Sequence, residues 1–266
     1  MSTRTAYGIP EARQSEVRFL VSVVGVVLFW GLIAFLWPLA ISSPIETALA
    51  LWELITEETA LVVDTVTASL VRILVGFLVS LSLGVIVGLA MGMSSRNEDY
   101  LYIVVLIGMM IPSLSWAIIT LVVLGLSETA IILAIILTTT PFITVTIWEG
   151  VKNIDRDLLE MAEIYDISRR DRIRHVIAPQ TSPYVFSGAR YGLGLCWKIT
   201  VIVELLGASN GIGYQLNVAF NYFDLKLVFA WTLLLITIMV FIEYGIIRTI
   251  STRVFAWREK GAQQWR

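Results

Sequence analysis

Asp155-Arg156-Asp157-Leu158-Leu159-Glu160-Met161-Ala162-Glu163-Ile164-Tyr165 is a polar stretch between two long apolar runs, and it reads as a short helix. Leu158, Met161, Ala162 and Tyr165 recur at i, i+3, i+4 and i+7, so they share one face. Asp166-Ile167-Ser168 breaks the pattern. Ser168 then caps a second helix, with Asp171 three residues on as a capping-box partner. Ile173, Val176 and Ile177 give that helix an apolar side, and Pro179 is expected to end it. The result is a pair of short helices with an apolar, small-residue surface. Its rim is basic: Arg169, Arg170, Arg172 and Arg174. Such arginines also serve as plain anchors on anionic lipid, but anchors need no capped helix pair carrying Met and Ala. A helix of this kind suits a groove on a partner protein.

Working outward, the chain has 266 residues, 57% of them hydrophobic and only 15% charged, with mean hydropathy +0.81. A soluble domain carries about 25% charged residues, so the deficit points to lipid. One cysteine, Cys196, and one histidine, His175, exclude a disulfide framework and a Cys/His zinc cluster. A membrane-spanning helix needs about 20 apolar residues. Six runs qualify: Phe19–Ile41, Val66–Met91, Leu101–Leu124, Thr129–Trp148, Pro183–Leu206 and Leu227–Ile250. The first is too long for a signal-peptide core and is kept as a retained helix. The expected fold is all-α and polytopic: six transmembrane helices, with the cytoplasmic helix pair between helices 4 and 5. Residues 1–18 form a cytoplasmic tail, 19–250 the transmembrane domain (helix pair at 154–178), and 251–266 a second cytoplasmic tail.

Orientation follows from the basic residues. With both termini inside, 15 of the 19 fall on the cytoplasmic side, Lys226 alone outside, and Arg72, Arg190 and Lys198 within spans. The first outer connection holds Glu46, Glu53, Glu57, Glu58 and Asp64 and no Lys or Arg. Net charge, -2, decides nothing here. Helix 2 carries small residues at every fourth position, Gly76, Ser80, Gly84, Gly88 and Gly92, which lets another helix approach closely. That stripe serves packing within the subunit or an interface between subunits.

Charges inside spans are expensive and face a partner or a water-filled path. Arg72 and Glu204, each near the outer end of its helix, are expected to pair as a structural element. Arg190 lies close enough to the cytoplasmic end to snorkel. Lys198 is different: it falls near the bilayer midplane, about 120° around its helix from Glu204. Glu243 lies near the cytoplasmic end of helix 6, too far along the membrane normal for a lysine stem. Lys198 therefore meets a carboxylate on another helix or faces an aqueous path.

Glu160-Met161-Ala162, then Asp166, then Ile177-Ala178-Pro179 resembles the E-A-A, three residues, G, nine residues, I-x-L-P signature of importer permeases in the ATP-binding-cassette superfamily. Met161 replaces the first alanine, Asp166 stands at the usual glycine, and the ending is compressed. Three further segments are similar to the nitrate/sulfonate/taurine/bicarbonate branch: Ser69 to Phe77, Ser187 to Trp197, and Glu204 to Tyr214. The branch would place a small or apolar residue where Lys198 stands. The resemblance implies a permease subunit whose two copies form the translocation path. Two separate ATP-binding subunits would dock on Glu160, Met161, Ala162, Tyr165 and Asp166, and a periplasmic substrate-binding protein would deliver the cargo. ATP and magnesium would bind in the ATP-binding subunit, with no cofactor in this chain. Gly192 to Lys198 does not make a phosphate loop, because Trp197 occupies the required second glycine. The chain is expected to be a transport subunit of the bacterial inner membrane, not an enzyme, with no nucleic-acid partner. The resemblance implies a small anionic solute such as a sulfonate, nitrate, bicarbonate or aromatic carboxylate. The alternatives are a pyrimidine precursor of thiamine or a secondary transporter. The latter would show an inverted repeat and broken midplane helices. Pro112 and Pro141 interrupt helices 3 and 4, but no matching halves are visible.

Overall fold

The computed structural model describes residues 11–247, all of whose regular elements are helical. The expected tail 251–266 and the last residues of the sixth run lie outside the described residues, as do residues 1–10. In order, the elements are α1 (Glu11–Leu36), α2 (Pro44–Glu57), α3 (Thr59–Gly92), α4 (Ser95–Met110), α5 (Ser113–Leu124) and α6 (Glu128–Lys152). Then follow α7 (Arg156–Ile164), α8 (Arg169–Arg172), α9 (Ala178–Gly207), α10 (Ile212–Asn221) and α11 (Leu225–Phe241). A π-helical turn, Ile173–Ile177, joins α8 to α9, and another, Ile242–Ile247, extends α11.

The centre is the pair α3 and α6, held by the small-residue stripe. A Cβ placed on Gly76 would lie 2.6 Å from Ile135 Cγ2, and one on Gly88 would lie 2.8 Å from the Thr144 carbonyl. Gly84 receives Ile143 and Gly92 receives Val151 in the same way. The stripe is thus filled from within the chain, by β-branched side chains of α6. α9 packs against both α6 and α3, and it shares with α6 a core of Ile131, Ile135, Cys196, Trp197, Ile199 and Val203, joined by Ile73 of α3 and Ala117 of α5. A second cluster, Ile143, Ile147, Val151, Ile154 and Ile177, closes the opposite end.

Several expected boundaries move. α1 begins inside the expected tail 1–18. The connection after the first run is mostly helical: α2 opens with a capping box in which Ser43 Oγ accepts from the Glu46 N–H, while Glu46 accepts from the Ser43 N–H. The Ser43 N–H and hydroxyl both donate to the Glu46 carboxylate and hold it below the usual carboxylate range. α2 buries Thr47, Ala50 and Leu54, the last against Ile212, Trp231 and Leu234. The run Leu101–Leu124 is two helices bent by 94° at Ile111-Pro112. Pro112 offers no N–H and pushes Ile111 into extended backbone (φ -69, ψ 122). Pro141, by contrast, leaves α6 continuous, its ring seated against Gly108, where a Cβ would lie 2.8 Å from Pro141 Cγ. Pro179 does not end a helix. It sits in the first turn of α9, directly after the π turn Ile173–Ile177, and the second short helix runs through that turn into the long one. Finally, α9 breaks at Ala208–Gly211, and α10 leaves it at 50°.

By length and composition, α3 and α6 each suffice to cross a bilayer. Each of the two bent pairs, α4 with α5 and 170–207 with α10, suffices if it forms one span. Leu20–Leu36 and Leu225–Phe241 are shorter apolar helices.

Candidate functional site

Where α3, α6, α9 and α10 meet, Arg72 is 3% exposed and uses all five guanidinium N–H groups. Nε donates to Glu128 Oε2 at 2.7 Å and Nη2 to Glu128 Oε1 at 2.5 Å. Nη1 reaches Glu204 Oε1 at 2.7 Å and the Asn210 carbonyl at 2.8 Å, and Nη2 reaches Asn210 Oδ1 at 2.7 Å. Glu204, fully buried, also accepts from Ser69 Oγ (2.8 Å) and from the Gly213 N–H (2.9 Å). Ser69 Oγ accepts in turn from the Ile212 N–H at 2.9 Å. Gly211 passes beside the pair at φ +109, where any Cβ would collide with Glu204 and Arg72. The sequence points to Arg72 and Glu204 but not to Glu128, Asn210 or Ser69. Glu128 precedes its apolar run by one residue. Ser69 lies one turn before Arg72, and that spacing was the available signal.

At the other end of α6, the chain turns at Asn153 into α7, capped by Asp155 Oδ1, which accepts from the Asp157 N–H at 3.0 Å. Asp166 adopts φ +49, the left-handed conformation for which glycine is usual, and the Ile167 N–H returns to the Ala162 carbonyl at 2.9 Å. Ser168 Oγ accepts from the Asp171 N–H at 3.2 Å and donates to its carboxylate. The expected apolar face is divided. Ala162 is 2% exposed and turned into the chain, so it leaves the free surface. Leu158, Met161 and Tyr165 stay outward, joined by Ile164 at 80% exposure; Glu160 is exposed too. Between α7 and the ends of α3 and α6 lies a cleft of about 580 Å³, bordered by Glu160, Glu163 and Arg172.

The remaining charges near the spans are Arg190, which pairs with Glu243 rather than standing alone, and Lys152, which pairs with Glu98 and lies 4.5 Å over the Trp148 ring. Lys198 is exposed on α9 and has no ion pair or hydrogen bond among the described residues. Among those residues no group of His, Cys, Asp or Glu is arranged to hold a metal.

Residues 80–256, about two thirds of the chain, match the family of binding-protein-dependent transport system inner membrane components. The chain belongs to this family. Among curated relatives, a probable ABC transporter permease protein of Brucella abortus is 30% identical over 57% of this chain and 60% of its own length. A putative aliphatic sulfonates transport permease of Escherichia coli is 41% identical over 37% of this chain and 38% of its own. A nitrate import permease of Synechococcus elongatus is 35% identical over 42% and 40%. The chain therefore spans at most about 60% of the length of these three relatives. The fold is that of a chain of the MetNI methionine ABC transporter, captured in inward-facing conformations. The TM-score is 0.62 at 17% identity, covering 73% of this chain and 98% of that one. The part that matches the family includes α7, Asp166, Lys198 and Glu204; Ser69, Arg72 and Gly76 lie before it.

Proposed function

We propose that this chain is the membrane-spanning permease subunit of an ATP-driven, binding-protein-dependent importer for a small anion. Six spans carry both termini on the cytoplasmic side: α1, α3, the bent pair α4–α5, α6, α9 and α11 with its π turn. Two copies enclose the path, α7 and its flanking turn receive an ATP-binding subunit, and a periplasmic binding protein presents the solute at the outer face. The observation that carries the reading is α7 itself: a short, capped helix beyond the end of α6 that keeps Leu158, Met161, Ile164 and Tyr165 exposed. Among the described residues those four side chains are left 42–80% exposed, and an apolar helix face outside the membrane suits a partner's groove. An anionic cargo is supported by the relatives named for sulfonates and nitrate.

The test is purification of the tagged chain from its native membrane in mild detergent. An ATP-binding protein should accompany it at equal stoichiometry, and Met161→Arg should release that protein while the chain stays monodisperse. If no ATP-binding protein accompanies the wild-type chain, the importer reading fails.

A further inference from the structure

We infer that Lys198 faces the aqueous path near the bilayer midplane and holds the negative charge of the passing solute. This rests on the permease reading above. Lys198 stands 9 residues before the end of α9 and 20 after its start, so about 14 Å of helix separates it from the outer end. A lysine stem is too short to carry its ammonium over that distance to an interface. Its flanks are tight: Trp197 and Ile199 are 3% and 1% exposed. At 100° per residue the buried positions Gly188, Gly192, Cys196, Ile199, Thr200 and Val203 fall on one arc of α9. Ser187, Tyr191, Lys198 and Leu205, all exposed, line the opposite side within roughly 40° of one another. The open side therefore runs through most of the membrane, with Lys198 as its one cation.

Four carboxylates of the neighbouring elements are engaged elsewhere. Glu243 pairs with Arg190, Glu204 and Glu128 with Arg72, and Glu98 with Lys152. A lysine turned to lipid at this depth is strongly disfavoured, whereas intramembrane charges on water-filled routes are the ones that persist. In a two-copy assembly the route carries two such ammonium groups. That arrangement attracts a sulfonate- or nitrate-like anion and repels cations.

The experiment introduces Lys198→Cys into a Cys196→Ala background and applies impermeant methanethiosulfonate reagents to intact cells and to inverted vesicles. Position 198 should be modified from the aqueous phase, while Ile199→Cys, buried against α6, should not. In Tyr191→Cys, two turns further along the same face, the anionic reagent applied outside to cells should react faster than the cationic one. Adding Lys198→Met should lower that ratio about tenfold, the size expected for losing a nearby charge in a confined site. An unmodified cysteine at 198, or an unchanged ratio at 191, would overturn the inference. Both readouts need no knowledge of the cargo. They are separate from failure of the importer reading, which appears in the wild-type chain as absence of an ATP-binding partner.

Discussion

Arg72 uses every donor it has inside the protein, and its loss would strand a fully buried carboxylate. Removing one partner of such a pair costs about 3–5 kcal/mol, because Glu204 is left without a counter-charge. Arg72→Met should therefore sharply lower the temperature at which detergent-purified protein loses its monodisperse peak. Arg72→Met with Glu204→Leu should recover much of the loss. Glu128 differs, since its side chain is 64% exposed. Glu128→Ala should cost at most about 1 kcal/mol, the usual scale for an exposed pair. Equal losses for Arg72→Met and Glu128→Ala would contradict the assignment of Glu204 as the dominant partner. The Arg72–Glu204 pairing is legible in sequence because a charge inside an apolar run stands out. The polar groups that complete the knot come from a serine inside α3 and from the α9–α10 junction, and only folding brings Ser69, Asn210 and Gly213 to one place.

Among the elements, the tightest contact is between α3 and α6, and it is sterically brittle. A methyl group at Gly84 would lie 2.5 Å from Ile143 Cγ2 and 3.3 Å from the Thr144 backbone nitrogen, so Gly84→Ala is expected to cost about 1–3 kcal/mol. Gly25→Ala has nothing within 4 Å to meet and should leave thermal stability unchanged. Comparing the two melting curves checks the claim, and identical shifts would refute it. The structure also changes which α7 variant is informative. Ala162→Arg would force a charge into the chain's own interior, whereas Met161→Arg alters only the outward face. The long apolar helices were legible by hydropathy, but their breaks were not. Pro112 and Pro141 look alike in sequence, yet one bends the chain by 94° and the other lies in an unbroken helix beside Gly108. What a proline does depends on the neighbour that receives it. α10 was hidden for a similar reason: Gly207, Gly211 and Gly213 permit a turn without specifying one.

For the whole molecule, the asymmetry of charge predicts that Glu57 is outside and Arg170 inside; both residues are exposed. Single cysteines at these positions, with Cys196→Ala, should be distinguished by an impermeant thiol reagent on intact cells. Glu57→Cys should be labelled and Arg170→Cys protected, and the reverse pattern would invert the topology. The expected orientation rests on the clustering of basic residues on one side of the spans. The division of labour along α6 was not legible in sequence, since it depends on what lies at each end once the chain is folded. Glu128 at its start ties into the Arg72 knot, and Lys152 at its end leads through Asn153 into α7. Between them, glycines seat β-branched side chains turn after turn, leaving α3 and α6 no cushion in which to slide. Mechanically the pair is a lever arm about 37 Å long. In the proposed importer, a push on α7 would reach the far end as rotation. A tilt of about 5° swings that end by roughly 3 Å, on the scale of a hydrogen-bond length.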